Sequence, residues 1–296
     1  MVKKIKFRNE DLTNLYKNYK IIKLSKCIIC NNSKTLKWTN SELFPARKCK
    51  NCNLVFMTNQ LEDRGLNDYY SNYIGKRRIN NKLKMQQRKK QYVIDLNLIN
   101  NFVNKGKVLD VGCNGGFFLN EFSDKFAKYG TEVDIKSIEY AKKYFPKFAK
   151  NIYYTNLMKS NFKSNYFDLI TMRGVIEHVS DPISHIKKIS KMLKKNGYLY
   201  MCATPNGESK IFSIYKERWN LFHPVQHLWH FSPKNLDIIS RKFGLKLIYK
   251  EFFYLNTPYE NFANDLKDIA KEIKFKSNKI SPPFYENMMS LVFKKT

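Results

Sequence analysis

Val108-Leu109-Asp110-Val111-Gly112-Cys113-Asn114-Gly115-Gly116, followed by Glu132 22 positions after Asp110, is the stretch that decides the fold of this chain. A short apolar run carries the backbone into a glycine-rich turn, and a helical pattern from Phe117 to Phe126 opens directly after it. Glycines let the main chain approach a ligand closely, and a helix N-terminus offers unpaired N–H donors. A carboxylate about 20 residues on, at the end of the next strand, suits a ribose diol. Together these features predict a nucleoside ligand carrying a further substituent; the bland alternative for Glu132 is a solvated strand end. The turn is not the G-x-G-x-x-G dinucleotide fingerprint, because its glycines stand at Gly112, Gly115 and Gly116, with Asn114 in the middle position. Asn enters left-handed backbone space more readily than other non-glycine residues, so the loop can still close.

Outward from this turn the pattern alternates. Strands are predicted at 107–111, 129–134, 151–155, 167–172, 197–203, 245–253 and 287–294, and helices at 115–128, 137–145, 182–194 and 233–243. Ser137 is expected to cap the second helix and Pro182 to sit in the first turn of the third. Ser232-Pro233 should open the fourth, which Gly244 closes. Ile183, Ile186, Ile189 and Leu193 form a core-facing stripe. The alternation predicts an α/β fold: an open, mostly parallel, Rossmann-like sheet with helices on both faces, assigned to residues 105–296. Ligands of such sheets sit beyond the carboxyl ends of the strands, near the switch in strand order.

Six cysteines are present, and four form two C-x-x-C knuckles, Cys27-Ile28-Ile29-Cys30 and Cys49-Lys50-Asn51-Cys52, with 18 residues between them. This spacing matches zinc sites closed by four thiolates, with no open coordination position for catalysis. Two disulfides are the alternative, disfavoured in a reducing compartment. Asn31 and Asn53 follow the knuckles where positive φ is often required. The zinc ribbon is assigned to residues 23–60, with short strands at 35–38 and 53–57, after a basic lead-in at 1–22. Cys113 and Cys202 read as small buried hydrophobes rather than nucleophiles.

Residues 61–104 read as a basic helical linker. Tyr69, Tyr70 and Tyr73 introduce Lys76 to Lys90, with eight Lys or Arg in fifteen residues. Leu83, Tyr92, Leu96, Ile99 and Val103 support a helix over 82–103, its basic face turned to solvent or to phosphates. The formal net charge is +29, from 54 basic and 25 acidic side chains. It suits a polyanionic partner, or else reflects the coding bias that also crowds the chain with Asn, Ile and Tyr. No run of 18 apolar residues occurs, so no membrane span is expected. The N-terminus lacks an apolar h-region, so no secretory signal is expected and the chain is placed in the cytoplasm.

Two later blocks complete the pattern. Residues 167–182, Phe-Asp-Leu-Ile-Thr-Met-Arg-Gly-Val-Ile-Glu-His-Val-Ser-Asp-Pro, end a buried strand and present Glu177-His178 in a loop; residues 193–206 give a helix end, a turn at Gly197 and a strand. With Asp110, Gly112 and Gly116, these blocks resemble the successive motifs of class I S-adenosylmethionine-dependent methyltransferases. The likeness covers residues from about 25 to the end. It is nearest to the branch with an N-terminal four-cysteine ribbon, which resembles small-molecule and sugar-modifying methyltransferases. The resemblance implies that the methionine part of the donor lies against the Asp110–Gly116 loop, Asn114 included, and near Arg173. It places Glu132 on the ribose hydroxyls and Asn156 near the adenine amine, where the family often has an acid.

Histidine is the usual base near neutral pH if the acceptor is a hydroxyl. His178 adjoins the donor site, and His223, His227 and His230 crowd the insertion Trp219–Pro233; a structural role or a buried polar core is the alternative for each. His227 is preferred as base or acceptor-orienting residue, since the resembling family commonly has His there. The E-x-x-E-H metal site of some ubiquinone-type O-methyltransferases is disfavoured, because Gly174 stands at the first Glu position. The expected function is methyl transfer to a small acceptor, a sugar or nucleotide-linked sugar of surface-glycan assembly. An RNA methyltransferase gripping phosphates through ribbon and basic helix is the alternative, and a non-enzymatic zinc-ribbon interaction module the third. The oligomeric state is left open.

Overall fold

The computed structural model describes residues 17–41, 44–71 and 82–296; most of the predicted lead-in, Tyr73 and the start of the basic run at 76–81 lie outside the described residues. Five short strands open the chain: β1 (Ile21–Lys23), β2 (Thr35–Lys37), β3 (Ala46–Cys49), β4 (Val55–Met57) and β5 (Asn59–Leu61). β2, β3 and β4 pair antiparallel, and β1 pairs with β5. Asn31 (φ 54°) and Asn53 (φ 60°) take the positive φ expected after each knuckle. Helices α1 (Asp63–Ser71) and α2 (Lys82–Asn100) follow.

The remainder is the alternating unit. It runs β6 (Gly106–Val111), α3 (Phe117–Glu121), β7 (Phe126–Glu132), α4 (Ile135–Tyr144), α5 (Pro146–Ala149), β8 (Ile152–Tyr154), β9 (Phe167–Arg173), α6 (Pro182–Met192) and β10 (Leu193–Pro205). It continues with α7 (Lys210–Tyr215), β11 (Trp229–His230), α8 (Pro233–Arg241), β12 (Leu245–Glu251), α9 (Phe262–Phe275) and β13 (Met288–Lys295). Seven of these strands form one sheet in the order β12-β13-β10-β9-β6-β7-β8, parallel except for β13, which pairs antiparallel with both neighbours. The order reverses between β6 and β9, so the loops after these strands bound a crevice.

Period-two alternation divides each central strand between two cores. Leu109, Ile170, Met172, Leu199, Met201 and Phe293 point to one face, where Ile186, Ile189, Leu236 and the ribbon side chains Leu54, Phe56 and Met57 pack. Val108, Leu169, Tyr200, Cys202 and Val292 point to the other, against Tyr92, Leu96 and Ile99 of α2 and Phe118, Leu119 and Ile138. The ribbon therefore shares its core with one face of the sheet. It also gains a strand from far along the chain, because β11 pairs antiparallel with β4 (Trp229 opposite Phe56).

Several local expectations change. The helix predicted over 115–128 ends at Glu121: Phe122 turns extended (φ −65°, ψ 141°), and Phe118, Phe122 and Phe126 stack edge to face at 5.2 and 5.1 Å, which starts β7 three residues early. The cap of α4 is Asp134, not Ser137. Asp134 accepts the Lys136 and Ser137 N–H groups, and the Ser137 hydroxyl donates back to it at 2.8 Å. Asp181 caps α6 with Pro182 in its first turn, and Ser232 with Asn235 forms a reciprocal box at α8. α5, α7, α9, β1, β5 and β11 lie in stretches given no helix or strand by the sequence reading, whereas α1 falls within the linker read as helical. Among the described residues no helix is long and apolar enough to cross a membrane.

Candidate active site

Two cavities, about 560 and 840 Å³, open beyond the carboxyl ends of β6, β7 and β9 and share Gly112, Asn114, Gly174 and His178 in their walls. Both fall within the range of about 300–1,000 Å³ typical of small-molecule sites. The glycine turn forms the ridge between them. Gly112 (φ 67°), Asn114 (φ 53°) and Gly116 (φ 76°) are all left-handed, and a Cβ on Gly112 would meet Val175 Cγ2 at 3.0 Å. The backbone at Gly112 thus requires glycine, whereas Asn114 carries its conformation with a side chain, whose Oδ1 accepts the Gly115 N–H at 2.7 Å.

Glu132, at the end of β7, lines the larger cavity but is buried. Its Oε2 accepts the Asn114 N–H at 2.7 Å, and its Oε1 accepts the N–H groups of Val133 (2.7 Å) and Asp134 (2.9 Å). Burial pushes its pKa up and the three N–H donors oppose that. Of the roughly four lone-pair positions of a carboxylate, three are taken, so Glu132 ties the glycine turn to β7 and keeps one acceptor site for a ligand. Asn156 lines the same cavity, with its Oδ1 accepting the Lys159 N–H at 2.9 Å.

Asp110 sits on the side of the smaller cavity, 2% exposed, and accepts the Thr171 hydroxyl at 2.6 Å. Burial raises its pKa to about 7. Arg173, at the end of β9, pairs with Asp95 of α2 at 3.1 Å, lies over the rings of Tyr92 (4.7 Å) and Phe118 (5.9 Å), and is held charged chiefly by Asp95, against the opposing effect of burial. Tyr200 donates to the other Asp95 oxygen at 3.0 Å. Sequence reasoning missed Asp95; its signal is an acid on the apolar side of a basic helix, beside Leu96.

Beyond this ridge the insertion after β10 folds back over the loop after β9. The Glu177 carbonyl accepts the Leu228 N–H at 2.9 Å, and His178, His223 and His227 come together, with ring centroids 4.7 Å (178–227) and 5.0 Å (223–227) apart. His227 Nδ1 lies 2.6 Å from the Leu221 carbonyl, to which it must donate, so Nε2 is the acceptor. Burial, then the neighbouring histidines, push the His227 pKa well down and keep it neutral. His178 Nδ1 lies 2.8 Å from the Gln226 carbonyl and 2.9 Å from the Tyr70 hydroxyl of α1. His230 is set apart: it stacks on Phe222 in the core, and burial lowers its pKa to about 3.

Glu177 is 2% exposed, and its Oε2 has no hydrogen-bond partner among the described residues; burial lifts its pKa to about 8. Ligand atoms of Glu177, His178 and His227 lie within 4.8 Å of one another, close enough to share a cation. The metal site disfavoured from the loop alone therefore has a third donor at hand. His227 supplies it from the insertion, where no local motif could announce it.

The four ribbon sulfurs also lie within 4.8 Å of one another, with Cys27–Cys52 at 3.4 Å, Cys30–Cys49 at 3.5 Å and Cys30–Cys52 at 3.8 Å. A tetrahedral zinc shell with bonds of about 2.3 Å has sulfur–sulfur edges of about 3.8 Å. All four cysteines are free thiols, so the cluster fits a metal rather than two disulfides. Cys113 and Cys202 are buried, as expected.

Known proteins match this architecture. The chain is 34% identical to a ubiquinone biosynthesis O-methyltransferase of Pelagibacter ubique over 149 residues, 48% of this chain and 62% of that protein. The Haemophilus ducreyi protein of the same name is 30% identical over 116 residues, 36% of this chain and 49% of that one. The chain thus spans half to under two-thirds of the length of these curated relatives. In fold, a chain of the Haloferax volcanii complex between the Trm112 methyltransferase activator and a methyltransferase superposes with a TM-score of 0.56 at 12% identity, covering 77% of this chain and 96% of that one. The model of the methyltransferase domain family matches residues 84–250, which run from α2 through both carboxylates of the crevice to β12. By that match, over more than half its length, the chain belongs to the class I S-adenosylmethionine-dependent methyltransferases.

Proposed function

We propose that the protein transfers the methyl group of S-adenosylmethionine to a hydroxyl of a small acceptor, with donor and acceptor meeting at the ridge between the two cavities. The observation that carries this reading is the junction itself. The larger cavity has Glu132 and Asn156 for the adenosine end, whereas the smaller one has Asp110, Arg173 and neutral His227. The residues fit the donor: two buried carboxylates face a cationic nucleoside, and a left-handed turn at 112–116 lets the main chain lie against it. When bound, S-adenosylmethionine supplies the methyl group on a sulfonium that leaves as a neutral thioether.

Asp110 and Arg173 orient the charged groups of the methionine portion, and Glu132 with Asn156 holds the ribose and base. His227 accepts the acceptor's hydroxyl proton at Nε2, its Nδ1–H being fixed on the Leu221 carbonyl. Positioning of the two reactants supplies most of the rate. The acceptor is read as a sugar or nucleotide-linked sugar of the kind assembled into surface glycans. The smaller cavity combines polar side chains (Arg88, Asn220, Gln226) with aromatic platforms (Tyr254, Phe284) on which a hydroxyl-rich ring can lie. The O-methyltransferase names of the relatives support oxygen as the methylated atom. The cysteine cluster is read as a structural zinc site.

The test is to incubate the protein with methyl-labelled donor and extract, then separate small molecules, glycans, RNA and protein. Label is expected among small molecules or glycans, and His227→Ala should cut its incorporation about 10²–10⁴-fold with donor affinity unchanged. Label in RNA would replace the acceptor reading and give the +29 charge a role; no donor binding at all would sink the whole proposal.

A further inference from the structure

Helix α9 carries an apolar face that, among the described residues, is left largely exposed. Asp265, Ile269 and Glu272 turn inward: Tyr254 donates to Asp265 at 2.6 Å, and Glu272 pairs with Arg218. Phe262, Leu266 and Ile273 are 47, 47 and 63% exposed, and with Ala270 they recur at i, i+4, i+8 and i+11, a single stripe along the helix. Exposed Lys267, Lys271 and Lys274 flank that stripe, and Lys276 and Lys279 extend it. Asp268 is the one exposed acid between residues 262 and 279. The stripe continues into the mouth of the smaller cavity, since Phe262 stacks on Phe284 (5.9 Å, 19°) and Phe284 with Tyr259 lines that cavity.

We infer that α9 docks the protein on an anionic lipid surface, with Phe262, Leu266 and Ile273 in the headgroup–acyl boundary and the lysines on lipid phosphates. An exposed apolar stripe bordered by lysine is the pattern of helices that lie in the membrane interface, and each lysine near such a surface adds attraction to anionic lipid. A nucleic acid would use the lysines and leave the large apolar side chains in water, so the stripe favours lipid. Resting on the reading of the smaller cavity as the acceptor site, the inference deepens it: of the sugar acceptors, the one taken is lipid-linked, with its apolar tail in the bilayer while the sugar enters between Tyr259 and Phe284.

Co-sedimentation of the whole chain with vesicles of phosphatidylglycerol and phosphatidylcholine, against phosphatidylcholine alone, tests it. Binding is expected to the anionic vesicles, weakened by salt, and reduced more than about tenfold in Leu266→Asp/Ile273→Asp. Lys267→Glu/Lys271→Glu should remove most of the salt dependence. These side chains are exposed, and circular dichroism with calorimetric titration of the methyl donor verifies that fold and donor site survive. Vesicle binding that is absent in the wild type, or equal in the apolar variant, overturns the inference while donor binding keeps the enzyme reading intact. Lysine-dependent capture of RNA with indifference to vesicles overturns it as well.

Discussion

Asp110 is a carboxyl group held where a proton is nearly as welcome as a cation. Burial among β6, β9 and the turn raises its pKa to about 7, although the Thr171 hydroxyl and Arg173 oppose the rise. A cationic donor favours the ionised form, so a proton competes with it. The folded pKa is raised, so protonation occurs as pH falls through about 7. Donor affinity should therefore be level above that pH and fall by up to about tenfold per pH unit below it. Asp110→Asn should weaken binding at pH 8 and flatten the slope, as read by calorimetric titration across pH 5.5–8. An unchanged affinity in that variant would remove Asp110 from the site. Asp110, Gly112 and Glu132 could be read from sequence because a turn that admits a nucleoside needs particular residue types at fixed spacing. Asp95 could not, since its role depends on α2 crossing to Arg173, 78 positions away.

At the scale of elements, β11 is the joint. Its two residues pair with β4 of the ribbon, the Leu228 carbonyl just before it accepts the Met57 N–H at 2.9 Å, and the Asn235 side chain just after it donates to the Cys52 carbonyl at 2.8 Å. His227 stands two residues before it. The ribbon thus braces the histidine segment, and none of these joining bonds involves a residue assigned to the donor. Stripping the metal with a chelator, or Cys49→Ser, should abolish methyl transfer yet leave donor affinity within about twofold, provided the βαβ half persists. Parallel loss of both, or of neither, would reject the brace. The long strands and the knuckles were legible because periodicity and ligand chemistry are local. α9 and β11 were not: one lies behind a loop without a punctuating cap, the other has too few residues for any period and exists only through its partner.

For the whole molecule, the ribbon's Leu54, Phe56 and Met57 and the sheet's Ile170, Met172 and Leu199 belong to one continuous core. A shared core couples stability, so ribbon and sheet should unfold in a single transition by calorimetry, with the midpoint lowered when metal is withdrawn. Two resolved transitions in the metal-loaded protein would contradict this. The sequence divided the chain at residue 60 because composition changes there; the packing that crosses that line is long-range and leaves no compositional trace. The pairing of β4 with β11 carries a last consequence, for solubility. Val55, Phe56 and Met57 are wholly buried, and Trp229 and His230 pair along the edge of their strand, opposite Phe56 and Val55. If the histidine segment detaches, an interior strand becomes an open apolar edge of the kind that recruits other chains, so this protein's route to aggregation begins at the insertion that carries His227.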